Sequence, residues 1–299
     1  MRTALLAFTL FAVCSAQTKI VLTNDDGWAV AQIRAEYAAL KAAGYDVVLS
    51  APASNKSGTG SSSAPAQPLS SPCEYNSCPS GSPAQGFNAT DPRLNYVNSY
   101  PVDSVRYGIQ TLSPKFFGSK PDFVVSGNNI GLNTGSTTQI SGTVGAASEA
   151  ALEGIPSVAF SGSSGDQVSY TTLSDTSASS TQAANIYTSL LLKFTNQLLG
   201  ASLLTPILPT GISVNVNFAS ISSCSSASSY KWVFTRIYAD STATDVETCG
   251  STHLTAETTA ISKGCIATVS VFNATTKSDV DAATQKYVYD KVSPILSCL

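Results

Sequence analysis

Short apolar runs alternate with helix-like segments through the first two thirds of the chain, and this order restricts the fold more than any other feature. The apolar runs are 20–23, 46–50, 122–126, 157–161 and 212–218. Between the first two runs, Ile33, Tyr37 and Leu40 share one helical face, and Gly44 follows as a stop. Because parallel strands need helical crossovers that cover both faces of the sheet, the order predicts a doubly wound, mostly parallel α/β fold of the Rossmann-like kind.

The predicted organisation is one large domain with two less regular parts. Residues 17–220 form the α/β core, and residues 57–90, rich in Ser, Pro and Gly, form an irregular insertion or lid within it. Residues 221–299 form a β-rich extension of the same domain that ends in a helix near 280–292. A chain of 299 residues is long enough for this arrangement.

Several features predict a secreted protein. Residues 1–16 combine a basic residue, an apolar stretch and small residues before the cleavage site, which predicts a secretory signal peptide. The six cysteines outside it are expected to form disulfides: Cys73, Cys78, Cys224, Cys249, Cys265 and Cys298. Short separation favours the pair Cys73–Cys78, and the pairing of the other four stays open. The candidate N-glycosylation sites are Asn55, Asn88 and Asn273.

The charge pattern and the lengths of the apolar stretches argue against a nucleic acid and a membrane as partners. Only 12% of the residues are charged, and the net charge is −3. Neither a basic patch nor basic residues interleaved with aromatic ones occur, so a polymeric nucleic acid is not an expected partner. Outside the signal segment no stretch is long and apolar enough for a membrane helix, so no membrane association is expected.

Two adjacent carboxylates, Asp25 and Asp26, follow the first apolar run. Like charges at the end of a buried strand repel each other and are poorly solvated, so a bound cation is expected to offset their charge. The alternative is an ordinary turn rich in Asn, Asp and Gly. Residues 55–60 and 126–135 place further hydroxyl and amide oxygens after two other strands, where an open parallel sheet binds ligands. This all-oxygen donor set suits Mg²⁺ or Mn²⁺, with Ca²⁺ as the alternative.

A candidate anion site lies at the start of the Ala-rich helix. Ser141, Gly142 and Thr143 open that helix, and free N–H groups at a helix N-terminus favour an anion. The alternative is a Ser cap followed by packing glycines. A divalent cation beside such a helix end is the arrangement that polarises a phosphoryl group.

Other chemistries lack their motifs. His253 is the only histidine, which argues against histidine-based phosphatase chemistry and against His-rich metal centres. No Gly-x-Ser-x-Gly elbow, Gly-x-Gly-x-x-Gly fingerprint or Walker loop follows a strand. Metal-assisted hydrolysis remains, and a serine esterase that uses His253 is an alternative with little support.

Four sequence blocks, in order and with matching spacing, resemble the SurE (survival protein E) phosphatase/nucleotidase family. They are 23–27 (TNDDG), 55–60 (NKSGTG), 125–131 (VSGNNIG) and 141–145 (SGTVG), within a resemblance that covers about 19–218. The resemblance implies a SurE-type fold and a divalent cation held by Asp25, Asp26, Ser57 and Asn129. It also implies a homodimer formed through C-terminal hairpins, in a region that carries four cysteines here.

This sequence departs from the family pattern around the implied metal site. Ile130 replaces a common Arg, Ser61 stands where His is frequent, and Ile140 stands where Tyr or His often precedes the Ser-Gly-Thr block. Trp28 and the residues after it replace a common Ala-Pro-Gly. The cation ligands are therefore expected to be kept, while the contacts to substrate differ.

The resulting hypothesis is a secreted, metal-dependent phosphomonoesterase similar to acid phosphatases and 5′(3′)-nucleotidases. Asp25 and Asp26 are its catalytic residues, and its substrates are small phosphate esters, nucleoside monophosphates among them. Whether an aspartate or a water molecule attacks phosphorus stays open. The residues expected to contact phosphate are Ser141, Gly142, Thr143, Gly58 and Asn133. The main alternative is a non-catalytic secreted module that keeps the fold and a structural cation.

Overall fold

A computed structural model describes residues 17–202 and 205–299, so the predicted signal peptide lies outside the described residues. The strands are β1 (Lys19–Thr23), β2 (Asp46–Pro52), β3 (Gln85–Asn88), β4 (Asp91–Val97), β5 (Phe123–Ile130), β6 (Ser157–Gly162), β7 (Ile212–Phe218), β8 (Lys231–Thr235), β9 (Ile266–Asn273) and β10 (Ser278–Asp279). The α-helices are α1 (Ala31–Ala42), α2 (Pro101–Tyr107), α3 (Ser113–Phe117), α4 (Thr137–Ile140), α5 (Gly142–Leu152), α6 (Ser179–Gly200), α7 (Glu257–Ile261) and α8 (Ala282–Val292).

One mixed sheet runs through the described residues. Its strand order is β10-β9-β7-β6-β5-β1-β2-β4-β3, and β8 also pairs with β9. The pairs from β4 through β2, β1, β5 and β6 to β7 are parallel, whereas β3, β7 and β10 make antiparallel pairs with their neighbours β4 and β9. The predicted doubly wound, mostly parallel sheet is confirmed.

Both faces of the central strands are buried, which explains their continuous apolar sequence. In β1, Ile20 and Leu22 join one core cluster, while Val21 between them joins a second cluster on the opposite face. Helices α1 and α6 pack together, as do α2 and α5. Since successive side chains of a strand point to opposite faces, one short apolar run supplies both cores.

The C-terminal section continues the same sheet, so the predicted β-rich extension is present. Strand β9 runs antiparallel to β7 and parallel to β8. Two disulfides close this section, Cys224–Cys265 and Cys249–Cys298. The predicted Cys73–Cys78 disulfide is also present, in the segment predicted as a lid.

The structure differs from the sequence prediction at the end of β5 and at two further strands. Strand β5 continues to Ile130, whereas the apolar run predicts an end near residue 126. Strands β3 and β4 are absent from the sequence prediction, because Asp, Pro, Arg and Asn interrupt the apolar pattern of β4. Among residues 17–202 and 205–299, no helix combines the length and apolarity needed to cross a bilayer.

Candidate active site

The site lies where β1 and β5 end side by side. Thr23 of β1 is in register with Ser126 of β5, so the residues that follow β1 lie next to the end of β5. The turn after β1 closes through Asn24, whose side chain donates to the Gly27 carbonyl (2.9 Å) and accepts from the Gly27 N–H (3.1 Å). Gly27 has φ +118°, a conformation that glycine adopts without strain.

Asp25 is buried and held by the first turn of α5. Its Oδ1 accepts from the Thr143 hydroxyl at 2.7 Å, and its Oδ2 accepts from the Thr143 N–H at 3.0 Å. Burial raises the pKa of the Asp25 carboxyl above its ordinary value, although the hydrogen bonds from Thr143 and Gly142 act in the opposite direction. The two contacts fix the orientation of this carboxylate.

Asp26 is fully buried and held from two other directions. Its Oδ2 accepts from the Ile130 N–H at 2.9 Å, and its Oδ1 accepts from the Gln167 side chain. Burial and then the neighbouring charge of Asp25 raise the pKa of Asp26 well above its ordinary value. Within the described part of the chain neither aspartate forms an ion pair. Two buried carboxylates with no cationic side chain as partner are a donor set that fits a divalent cation.

Ser57 lies on an exposed loop that is bonded to this corner. The Lys56 N–H donates to the Asp25 carbonyl at 2.7 Å, and the Gly60 N–H donates to the Ile140 carbonyl at 2.8 Å. These two bonds flank Ser57, whose hydroxyl makes no hydrogen bond to any residue that the structure describes. That hydroxyl is therefore available to a ligand beside Asp25.

Asn129 is the last residue but one of β5, directly before Ile130. Its Nδ2 donates to the Gly131 carbonyl at 2.6 Å, which leaves its Oδ1 as the atom available to a cation. Gly127, two residues before Asn129, has φ +114°. A Cβ on Gly127 would lie 2.1 Å from the Phe160 carbonyl oxygen. Only glycine allows β5 to approach β6 this closely at the site.

The residues predicted to contact phosphate divide into two groups. Ser141, Gly142 and Thr143 lie directly beside Asp25: a Cβ on Gly142 would lie 2.8 Å from the Asp25 Cβ. The Ser141 hydroxyl accepts from the Val144 N–H at 3.1 Å and so caps α5, while the Thr143 hydroxyl is bonded to Asp25. The N–H groups of Thr143 and Val144 already donate to Asp25 and Ser141, so the positive end of the α5 dipole is the remaining feature of this turn that attracts an anion.

The other two predicted contacts lie apart from this turn. Gly58 is exposed, with φ +76° and open space around it, on the loop that carries Ser57. Asn133 points into the protein: its Nδ2 donates to the Ser161 hydroxyl at 2.8 Å, and its N–H donates to the Asn217 side chain at 2.8 Å. The structure therefore brings Gly58 to the site region, whereas Asn133 anchors the loop after β5.

A buried polar network supports this loop from the C-terminal section. The Glu257 Oε1 accepts from the Gly135 N–H at 3.0 Å, and the same carboxyl is bonded by Asn215 and by Ser270. Burial raises the pKa of Glu257 to about 8. The network ties the loop after β5 to β7 and β9 beneath it.

Two residues near Asp26 were not identified from the sequence. Glu74 accepts from the Ala29 N–H at 2.8 Å, and burial raises its pKa to about 7. Its carboxylate lies against Gly27, the residue after Asp26, and its charge further raises the pKa of Asp26. Gln167 bonds Asp26 directly. Glu74 directly follows Cys73, but that position carries no signal of the contact, and Gln167 lies in a Ser-rich stretch without a motif.

His253 lies in the C-terminal section. Its Nδ1 is 2.8 Å from the Ala243 carbonyl, and among the described residues the ring makes no hydrogen bond to a serine or aspartate side chain. It lines a cavity of about 310 Å³ beside the Cys249–Cys298 disulfide, and none of the candidate site residues lines that cavity. This arrangement lacks the contacts of a serine esterase triad.

The fold and the site define an α/β protein with paired, buried carboxylates at the carboxyl edge of a parallel sheet, next to a helix N-terminus. A family model described as "Survival protein SurE" matches residues 20–244. The chain belongs to the SurE family.

Individual relatives agree with this membership. The chain is 38% identical over 208 residues to a protein named acid phosphatase from Yarrowia lipolytica, an alignment that covers 68% of this chain and 57% of that protein. It is 39% identical over 142 residues to a protein named 5′-nucleotidase SurE from Desulfovibrio desulfuricans, covering 48% of this chain and 49% of that protein. The chain thus spans about half the length of the curated relatives it matches.

The fold is similar to that of a solved SurE protein. The crystal structure of the SurE protein from Aquifex aeolicus superposes with a TM-score of 0.59 at 23% sequence identity. The match covers 85% of this chain and 93% of that one. The SurE-type fold predicted from the sequence blocks is confirmed.

Proposed function

We propose that the protein is a secreted, metal-dependent phosphomonoesterase of the acid phosphatase or 5′(3′)-nucleotidase type. The observation that carries the proposal is the buried pair Asp25 and Asp26, which has no cationic partner among the described residues and adjoins the N-terminus of α5. The names of the relatives, acid phosphatase and 5′-nucleotidase, support the same reaction class.

In this proposal Asp25, Asp26, Ser57 and Asn129 hold the cation, which is Mg²⁺ or Mn²⁺, with Ca²⁺ as the alternative. Two carboxylates, a hydroxyl and an amide oxygen are hard donors of the kind these ions prefer. When bound, the cation offsets the negative charge that a phosphoryl group carries as it is transferred.

The chain's own residues orient the reacting groups. Thr143 fixes Asp25 through two hydrogen bonds, while Ile130 and Gln167 fix Asp26, so neither carboxylate has to be ordered when substrate arrives. The positive end of the α5 dipole, where Ser141, Gly142 and Thr143 lie, attracts phosphate oxygens.

The remaining site residues have supporting roles in the proposal. Ser141 and Gly58 complete the phosphate-binding surface on either side of Asp25. Asn133 positions the loop after β5 through its bonds to Ser161 and Asn217.

The proposed setting is extracellular. Three disulfides among the described residues support an oxidising compartment. The proposed substrates are small phosphate esters, nucleoside monophosphates among them, and the proposed assembly is a homodimer formed through the C-terminal section. Neither polymeric nucleic acid nor a membrane is a proposed partner.

The test is p-nitrophenyl phosphate hydrolysis by the full chain with Mn²⁺ or Mg²⁺, with and without EDTA, for the wild type and Asp25→Asn. Activity is expected to fall at least about a hundredfold on chelation, to return with added cation, and to stay absent in Asp25→Asn. Asp290→Asn is the matched control, because Asp290 pairs with Lys286 on the exposed face of α8. Activity that survives both EDTA and Asp25→Asn contradicts the mechanism, and Ca²⁺ binding without turnover of any monophosphate supports the non-catalytic alternative.

A further inference from the structure

The turn closed by the Cys73–Cys78 disulfide packs against the segment that follows the paired aspartates. The Glu74 N–H donates to the Ala53 carbonyl at 3.1 Å, and the Glu74 carboxylate accepts from the Ala29 N–H at 2.8 Å. A second connection joins the Trp28 indole N–H to the Ser77 hydroxyl at 3.0 Å. These bonds hold the turn in one position relative to β1.

This turn lies next to Asp26. A Cβ on Gly27 would lie 2.2 Å from the Glu74 carboxylate, so the turn is in contact with the residue directly after Asp26. Burial, then the charges of Glu74 and Asp26, raise the pKa of the Tyr75 phenol to about 12. Tyr75 directly follows Glu74, so it belongs to the segment that contacts Gly27.

Tyr75 has an unusual backbone conformation for a bulky residue. Its φ and ψ are 53° and 26°, in the left-handed region, and Asn76 follows with φ 55°. Bulky side chains rarely adopt this region, and such outliers cluster where a side chain is presented to a ligand. Here the outlier presents an aromatic ring to solvent, since Tyr75 is 38% exposed.

The Tyr75 ring has no aromatic or cationic partner, unlike the other exposed aromatic side chains in the described residues. Tyr170 stacks on the Arg34 guanidinium at 4.7 Å, and Phe87 lies 5.7 Å from the Lys115 ammonium. Tyr75 makes no aromatic or cation–π contact within residues 17–202 and 205–299. A partly exposed aromatic ring without such a partner, carried by a turn next to the site, is able to stack on a planar group.

We propose that Tyr75 is a specificity-determining residue whose ring stacks on a planar aromatic group of the phosphomonoester substrate. The inference rests on the proposed function, because the cation and the N-terminus of α5 recognise only the phosphate that all such esters share. Discrimination between esters then depends on the residues around the phosphate. The Cys73–Cys78 turn supplies one such residue at a fixed position, in a segment outside the four sequence blocks that resemble the SurE family.

The test compares three substrates at saturating Mn²⁺: p-nitrophenyl phosphate, adenosine 5′-phosphate and the non-aromatic glycerol 2-phosphate. The variant is Tyr75→Gly, since glycine suits the left-handed backbone and folding is not at risk. We expect KM to rise about fivefold for the two aromatic esters, equivalent to about 1 kcal/mol, and to stay within about twofold for glycerol 2-phosphate. Tyr75→Phe keeps the ring and is expected to keep the wild-type selectivity.

Phe87→Ala is the matched control, because Phe87 is an exposed aromatic side chain on edge strand β3. Equal changes for all three esters in Tyr75→Gly, or no change for any, overturn the inference while leaving the proposed function intact. A wild-type chain that hydrolyses none of them with any divalent cation overturns the proposed function instead. Calorimetric binding of adenosine 5′-phosphate with Mn²⁺ then decides the inference: about fivefold weaker binding to Tyr75→Gly supports it, and equal binding overturns it.

Discussion

Gly145, in the first half of α5, lies against the loop that carries Ser57, and this contact predicts the effect of a single added methyl group. A Cβ at residue 145 would lie 2.0 Å from the Gly60 carbonyl oxygen and 2.8 Å from its carbonyl carbon. Ordinary contact begins at 3.4 Å, so in Gly145→Ala the two backbones must separate by about 1.4 Å along that direction. Gly60 is three residues from Ser57, so the loop cannot retreat without moving this hydroxyl.

The stability change is the difference between two terms. Replacing glycine with alanine inside a helix stabilises by roughly 0.5–1 kcal/mol, whereas overpacking costs about 1–3 kcal/mol. Gly145→Ala is therefore expected to lower the free energy of unfolding by about 1–2 kcal/mol, and the melting temperature by roughly 3–6 °C. Gly200→Ala at the end of α6 is the matched control: a Cβ there meets nothing within 4 Å, so its stability is expected to rise slightly or stay unchanged.

The activity change tests whether the contact positions Ser57. A displacement of about 1 Å in a site group lowers turnover by up to about a hundredfold, so Gly145→Ala is expected to lose at least about tenfold in kcat/KM. The assay is Mn²⁺-dependent p-nitrophenyl phosphate hydrolysis below the melting temperature of the variant, with the Mn²⁺ affinity measured by calorimetry. Wild-type kcat/KM and wild-type Mn²⁺ affinity in Gly145→Ala would refute the reasoning, even if its stability falls as expected.

Three further predictions follow from buried groups and from a disulfide. Because burial raises the pKa of both Asp25 and Asp26, protons compete with the cation for these carboxylates. The increase in melting temperature caused by Mn²⁺ is therefore expected to be larger at about pH 7.5 than at about pH 5. An increase that does not depend on pH contradicts this expectation. The folded chain keeps the Glu257 proton up to about pH 8, while the ordinary value is 4.5, so stability falls as pH rises through that window. Glu257→Gln should abolish its share of that slope in urea unfolding. Glu257→Ala leaves the buried Gly135 N–H without its acceptor, while Asn215 and Ser270 keep Asn133 and Thr235 as partners, so it should cost roughly 1–3 kcal/mol; equal effects of the two variants contradict the assignment. Replacing both Cys224 and Cys265 with Ala opens a loop with a sequence separation of 41 and is expected to cost about 4 kcal/mol in urea unfolding, and an unchanged midpoint argues against this pairing.

The sequence predicts the centre of this molecule well because local pattern and tertiary environment agree there. Strand β1 reads as a strand from its β-branched residues, and burial on both faces explains why no polar residue interrupts it. Strand β4 is harder to predict, since Asp91, Pro92 and Arg93 occupy its first half and only its pairing with β2 and β3 makes it a strand. Such pairing is set by the whole sheet and leaves little trace in a local window.

The candidate site shows the same difference between what a local pattern reveals and what distant contacts determine. Asp25 and Asp26 are recognisable because two adjacent carboxylates after an apolar run are costly without a partner. The contacts that orient them come from Thr143 and Gln167, which are more than 100 residues away, and the hydroxyl and amide involved also occur at many unrelated positions. A sequence motif therefore reveals the carboxylates, because their burial is unfavourable without a partner. The hydroxyl and amide groups that orient them are identified only from the structure.

The burial of acidic side chains at the site is unfavourable for stability, and this points to a role beyond folding. Asp25 and Asp26 are buried carboxyl groups with raised pKa values, so the fold disfavours their charged forms compared with the same groups in water. Glu74, with a pKa raised to about 7, adds to this imbalance at the same edge of the sheet. A fold selected for stability alone would not collect three acidic groups there, since neutral side chains of similar size would fill the space at lower cost. Their presence is explained if a positive charge enters the site, and the disulfide that closes the Glu74 turn is then one means by which the chain maintains this unfavourable arrangement before that charge arrives.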